Sequence, residues 1–362
     1  MTSRLLRQLQ WLTAHLLVAL VALVVIGGAT RVMQAGLACP DWPLCYGSLL
    51  PGRQMNLQVF LEWFHRLDAF VVGMGVLVLA TMTVIKRQLL PRWLPWLSGA
   101  CLVLVVFQGA LGALTVTLLL PPGIVTAHLA TALLLVMLVS VCHQLLEAAA
   151  PSPGFEPPGF SPAARDPRSE EASASCQPQP LLTAPSWWPW LAGLATLLVT
   201  TQSLLGGLMA TQWAASLCFS AGSGCAWLGA HRLAATPAAL SVLVLAAINW
   251  LTPGWCRQQR PLTITAALLV ITQIGLGVSS LRLQLAIPGV TIAHQLVASL
   301  LLAILAALTC RGWLGTASAA LDGSAAGTLS ATSSTFSLET SSTPAPASLS
   351  VLPPSPAEVV HG

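Results

Sequence analysis

The 362-residue chain is 55% hydrophobic, has a mean hydropathy of +0.79, and contains only 7% Asp, Glu, Lys and Arg. Soluble domains carry about 25% charged residues, so this composition excludes a water-facing surface and with it a soluble enzyme. A formal net charge of +4 spread over so apolar a chain makes no basic patch, which excludes a nucleic-acid binder and leaves the bilayer as solvent.

Each crossing of a hydrocarbon core about 30 Å thick takes about 20 apolar residues. The 23 uncharged residues between Arg7 and Arg31 predict a first transmembrane helix, and the stretch between Arg66 and Lys86, interrupted only by Asp68, predicts a second. From Trp93 to Leu146 run 54 residues without a formal charge, divided by Pro121-Pro122-Gly123, which predicts a third and a fourth. A Trp-rich start at Trp187-Trp188 opens a fifth that ends near Thr211, and further spans are expected near 228–250, 261–281 and 290–310. The fold class is therefore all-α and integral to the membrane, with eight transmembrane helices. No small-residue cleavage pattern follows the first run, so it reads as a retained helix and not as a signal peptide. Residues 147–186, rich in Pro, Ser, Ala and Glu, and 315–362, rich in Ser, Thr, Ala and Pro, bury too little apolar surface to offset ordering entropy; a flexible linker and a disordered tail are expected.

Lys and Arg near the span ends set the orientation. With a cytosolic N-terminus the inside receives Arg4, Arg7, Lys86, Arg87, Arg92, Arg165, Arg168, Arg257, Arg260 and Arg311, and the outside Arg31, Arg53, Arg66, Arg232 and Arg282. That bias predicts both termini in the cytosol and the Cys-bearing loops outside.

The chain repeats itself. Pro122-Gly123-Ile124-Val125-Thr126-Ala127-His128 recurs as Pro288-Gly289-Val290-Thr291-Ile292-Ala293-His294, and His65-Arg66-Leu67 as His231-Arg232-Leu233, both at an offset of 166. Gly27-Gly28 matches Gly206-Gly207 at 179, and Cys39 and Cys45 match Cys218 and Cys225 at 179 and 180. A fixed offset marks a duplicated unit, so two pseudo-symmetric four-helix bundles are expected, 1–146 and 187–314, joined by the linker. An even number of crossings per unit makes the repeats parallel, with equivalent residues at equal depth.

The two histidines of each half are 63 residues apart and fall near the starts of helices running in the same direction. Paired histidines at one level of a bundle are the arrangement that ligates a haem iron from both faces. A lone intramembrane histidine more often just hydrogen-bonds a neighbouring helix, but four in a repeat-consistent pattern point to His65, His128, His231 and His294 as iron ligands. His15 and His143 have no repeat partner and read as structural. Zinc is disfavoured, because no H-x-x-x-H or C-x-x-C spacing occurs. Glu62 stands one helical turn before His65, and a carboxylate at the edge of hydrocarbon pairs or does chemistry; the competing reading is an i,i+4 salt bridge to Arg66. The second half has Leu228 in its place, so one half is expected to react and the other to hold a cofactor. Cysteines outside the cytosol oxidise, which predicts two intraloop disulfides, Cys39 with Cys45 and Cys218 with Cys225, the first open to a redox role or to a simple staple. Cys101, Cys142, Cys176, Cys256 and Cys310 read as inert. Arg31, Arg66, Arg232 and Arg282 are candidate partners for haem propionates, with snorkelling to the interface as the alternative.

These residues carry a resemblance. Gly27-Gly28-Ala29-Thr30-Arg31, then Gly36-Leu37-Ala38-Cys39-Pro40-Asp41-Trp42-Pro43-Leu44-Cys45, then Glu62-Trp63-Phe64-His65-Arg66, with Thr126-Ala127-His128 and the repeat copies, resemble the haem A synthases of bacteria and mitochondria over about 10–312. The resemblance implies oxidation of the C8 methyl of haem O to a formyl group, by successive hydroxylations and loss of water, giving haem A for terminal oxidases. It implies haem b as a permanent cofactor on His231 and His294, substrate haem O on His65 and His128, and Glu62 as the catalytic carboxylate. It also implies that Cys39 and Cys45 affect electron transfer or activity, with haem O synthase and an electron-transfer partner as neighbours. Homo-oligomerisation is left open. Two rival readings are a di-haem membrane cytochrome, which gives Glu62 no task, and a disulfide-relay or assembly protein, which predicts a colourless preparation.

Overall fold

In the computed structural model the described residues are 2–150, 183–209 and 226–336, with side chains described within them from Ser3 to Ala317. Eight helices are long and apolar enough to cross a membrane: α1 Thr2–Val32, α2 Leu57–Ile85, α3 Leu94–Thr117, α4 Pro122–Ala149, α5 Trp188–Met209, α6 Ala226–Leu251, α7 Trp255–Arg282 and α8 Pro288–Phe336. The membrane-length part of α8 ends at Ala317, and the helix runs on past position 315, where the tail is expected to begin. Residues 1–317 are one compact unit; Ser318–Gly362 form a second, of which the backbone is described to Phe336. The linker residues 151–182 with Cys176, and Cys218 and Cys225, lie outside the described residues.

A spanning segment must satisfy its own backbone polar groups, which is why helices alone cross here. Helix starts follow from local chemistry: the Asn56 side chain caps α2 by accepting from the Val59 N–H at 3.0 Å, and α3 and α4 open with proline in the first turn. Helix ends were not legible. α1, α3 and α7 each close with the same bond pair: Ala35 N–H to Thr30 O with Gln34 N–H to Arg31 O, Leu120 to Thr115 with Leu119 to Val116, and Leu285 to Ser280 with Gln284 to Leu281. This is the Schellman closure, and it puts non-glycine residues at positive φ, namely Gln34 at 54°, Leu119 at 60° and Gln284 at 49°.

Helices α1 to α4 close on themselves, α1 against α2 and α4, α2 against α3, and α3 against α4. α5 packs on α6, α6 on α7, and α4 on α5, while α8 joins α4 through Ser140 Oγ donating to Ala303 O at 2.7 Å. Lipid tails are as apolar as leucine, so helix association in a bilayer rests on close packing and interhelical hydrogen bonds. Two such pins occupy matching places far from the histidines: the Thr83 and Ser98 hydroxyls meet at 2.6 Å between α2 and α3, and Asn249 Nδ2 donates to Thr263 Oγ1 at 2.7 Å between α6 and α7. Trp188, fully buried, donates through Nε1 to Leu308 O at 3.1 Å and lies where Gly312 leaves room for its ring.

Candidate functional site

His65 on α2 and His128 on α4 face each other with ring centroids 6.5 Å apart and planes at 78°. They line a cavity of about 1690 Å³ that Arg31, Glu62, Gly28 and Gln295 also line. Ordinary small-molecule pockets measure about 300–1,000 Å³, so the space suits an unusually large ligand. Both Nδ1 atoms are buried without a hydrogen-bond partner among the described residues. Buried ring nitrogens are normally paired, so these two unpaired atoms are unusual. Metal–nitrogen bonds of about 2.0–2.1 Å on opposite faces of one ion hold two ring nitrogens roughly 4 Å apart, hence two ring centroids roughly 6 Å apart. The observed separation of 6.5 Å leaves room for one metal ion between the rings.

Each histidine rests on a glycine of the preceding helix. A Cβ on Gly27 would meet His65 Cε1 at 2.8 Å, on Gly112 His128 Cε1 at 3.3 Å, on Gly206 His231 Cε1 at 2.8 Å, and on Gly277 His294 Cε1 at 3.1 Å. Four residues before three of these glycines stands a glutamine. Gln108 Nε2 donates to His128 O at 2.9 Å; Gln202 Nε2 lies 3.1 Å from His231 Nδ1 and donates to His231 O at 3.0 Å; Gln273 Nε2 lies 3.2 Å from His294 Nε2. Residues four apart share a helix face, so one turn supplies both the room for the ring and an amide that reaches the ring of His231 or His294 and the backbone of His128. Sequence reading missed this Q-x-x-x-G element, although Gln108 to Gly112, Gln202 to Gly206 and Gln273 to Gly277 repeat it openly. The exception is α1, where Leu23 stands four before Gly27 and has no side-chain amide to offer His65.

The second glycine of each pair serves a neighbour across the molecule. Gly28 lies where a Cβ would meet Gln295 Oε1 at 2.3 Å, and Gly207 where one would meet Leu129 Cδ2 at 2.4 Å. Gln295 and Leu129 each follow a histidine, so the Gly-Gly pairs admit one histidine and the residue after another.

The first loop is built onto α2. Cys39 and Cys45 are disulfide-bonded. Glu62, 3% exposed, accepts from the Cys39 N–H at 2.8 Å through Oε2 and from Arg66 through Oε1, so the i,i+4 salt bridge is formed. Arg66 also donates to Asp41 O at 2.7 Å and Leu44 O at 2.6 Å. Its Nη1 and Nη2 are engaged by the loop and by Glu62, while the side chain also lines the cavity. Asp41 accepts from the Tyr46 N–H at 2.7 Å and the Gly47 N–H at 2.8 Å; the Gly47 amide above all, aided by Tyr46 and the Arg66 charge, holds its carboxyl below the ordinary value of 3.8.

Arg232 and Arg282 are exposed. His15 Nδ1 lies 2.7 Å from Trp11 O and His143 Nδ1 3.0 Å from Thr13 Oγ1, and neither lines the cavity. Cys101, Cys142, Cys256 and Cys310 are buried free thiols.

A profile of the family described as cytochrome oxidase assembly protein, COX15-CtaA, matches residues 10–306. The chain belongs to this family. Among similar proteins are the haem A synthases of Shewanella oneidensis, 37% identical over 139 residues, which are 34% of this chain and 41% of that protein, and of Bacillus pumilus, 34% identical over 126 residues, 32% of this chain and 40% of that one. The Bacillus licheniformis haem A synthase is 34% identical over 125 residues, again 32% and 40% of the two chains. The matched region spans about two fifths of the length of these curated relatives. Family membership agrees with an integral multi-pass membrane protein of eight helices.

Proposed function

We propose that the chain is a haem A synthase that oxidises the C8 methyl of haem O to a formyl group, and that the half 1–146 receives the substrate on His65 and His128. The observation that carries this reading is the pair of facing histidines, 6.5 Å apart, on the wall of a 1690 Å³ cavity in a chain whose relatives bear that name. Conversion of a methyl to a formyl group is a four-electron oxidation through an alcohol and a geminal diol that loses water, and it requires an external oxidant, which the electron-transfer partner would supply. Among the described residues Glu62 is the only Asp or Glu that lines the cavity. It lies one turn before His65, and it is the group in reach to take up a proton there. Its bonds to Arg66 and the Cys39 N–H hold it in place, so the ion pair orients the carboxylate as well as clasping the loop.

In the half 187–314, His231 and His294 would hold haem b, which would supply electron exchange when bound. What supports this is that Gly206 and Gly277 leave room for the rings, Gln202 lies against both ring nitrogens of His231 and Gln273 against Nε2 of His294, amides that would turn aside for a ligand, and His294 Nδ1 has no partner among the described residues. Glutamine amides that reach the rings of His231 and His294, but not those of His65 and His128, support a division between a permanent site and one that must release its product. Lys and Arg placement favours cytosolic termini with the Cys39–Cys45 loop outside, beside a haem O synthase and an electron-transfer partner.

Mass spectrometry of haems from cells that make haem O tests the reading. Haem A, or its hydroxymethyl precursor, should appear with the intact protein and fall sharply with Glu62→Gln. Haem B and unchanged haem O alone, from a red protein, would support the di-haem cytochrome instead.

A further inference from the structure

Arg31 near the end of α1 lines the same cavity as His65 and His128, yet it is poorly served. Nη1 donates to Gly207 O at 3.4 Å and Nη2 to Gln295 Oε1 at 3.5 Å, both at the long limit of a hydrogen bond, and Nε is buried without a partner among the described residues. The ion pairs among the described residues are Glu62 with Arg66 and His143 with Glu147, so no described carboxylate neutralises Arg31. A half-buried guanidinium with its Nε out of reach of water and no described anion beside it is costly, whereas Arg66, one helix away, has Glu62 and loop carbonyls for its fork. Gln295 is itself fixed, donating through Nε2 to Val24 O at 3.1 Å, and it fits because Gly28 has no side chain.

We infer that Arg31, held by Gln295 and Gly207, is a receptor for a carboxylate borne by the ligand of this cavity. This deepens the proposed function and rests on it: the ligand class is a porphyrin with free acid side chains, and a guanidinium fork is the group that binds such an anion in two places. Both holders of Arg31 come from 187–314, and Gln295 follows His294 directly in sequence. The equivalent residue of the first half is Leu129, which cannot hold an arginine, so the receptor is one-sided.

The test uses the purified full-length protein with haem bound in the second half, titrated spectroscopically with haem B and with haem B dimethyl ester. The intact protein should bind the free acid about tenfold or more tightly than the ester, the range of a charge-assisted hydrogen bond. Arg31→Gln should bring the ratio near one while the resident haem's absorbance, which reports folding, is kept; Arg31→Lys, retaining charge without the fork, should fall between. Gln295→Leu, copying the residue of the other half, should also lower the ratio. A ratio near one in the intact protein, or an unchanged ratio in Arg31→Gln, overturns the receptor while leaving the haem site standing. Failure of both porphyrins to bind in a His65- and His128-dependent way overturns the substrate-half reading, and the receptor with it.

Discussion

Gly27→Ala and Gly206→Ala are the sharpest perturbations of the histidine sites, because each adds one methyl at a known distance. The new Cβ would lie 2.8 Å from His65 Cε1 or His231 Cε1, where ordinary contact begins at 3.4 Å. The ring must therefore retreat by about 0.6 Å, three times the roughly ±0.2 Å within which metal–ligand distances hold. Neither ring can move freely, since His231 is tied to Gln202 at 3.1 Å and the backbone of each is helical. Gly277→Ala, at 3.1 Å, should be milder, and Gly112→Ala, at 3.3 Å, mildest. The assay is haem content and reduced-minus-oxidised spectra of purified variants beside haem A yield in cells. Gly206→Ala should lose most of the resident haem b, while Gly27→Ala should keep it and lose most of the haem A. Resident haem lost equally from both, or an order unrelated to these distances, would refute the assignment of one haem to each histidine pair.

Other expectations follow from the same geometry. Glu62→Ala should cut haem A formation at least tenfold with haem b retained, measured by haem extraction; loss of haem b would return Glu62 to a purely structural role. His231→Ala or His294→Ala should abolish the permanent haem spectrum, whereas His65→Ala should leave it and abolish conversion. Arg66→Leu frees the carbonyls of Asp41 and Leu44 and leaves Glu62 buried without its cation, a loss of about 3–5 kcal/mol for a buried pair broken on one side; thermal unfolding should fall, and Cys39 and Cys45 should be reduced faster. The Asp41 carboxyl is held below 3.8, chiefly by the Gly47 amide, so its contribution is present above pH 3.8 and fades as the pH falls through the lower folded value. Proteolysis of the first loop should rise below pH 3.8 in the intact protein, and Asp41→Asn should remove that dependence.

The order of apolar runs and charges determined the eight helices, because a bilayer forces each run of about 20 apolar residues into a helix. The 166-residue offset singled out all four histidines, since duplicated units carry equivalent residues to equivalent depths. The Cys39–Cys45 bond was legible from compartment and spacing. Sequence also identified both options for Glu62 but could not choose, and the structure shows the ion pair and the cavity wall together. Helix ends at Gln34, Leu119 and Gln284 escaped, because a Schellman closure without glycine has no residue signature.

What tertiary structure alone decided is who faces whom. Four arginines near one side look alike in sequence; packing spends Arg66 on the first loop, leaves Arg232 and Arg282 exposed, and half-buries Arg31 beside Gln295, some 264 positions away. The glycines before the histidines read as small residues in apolar helices until the rings are seen resting on them. Periodicity and charge act along the chain and can be read from it. Which side chain fills which glycine's space depends on the rotation and depth of packed helices, and those are set by the sum of many contacts across the bundle.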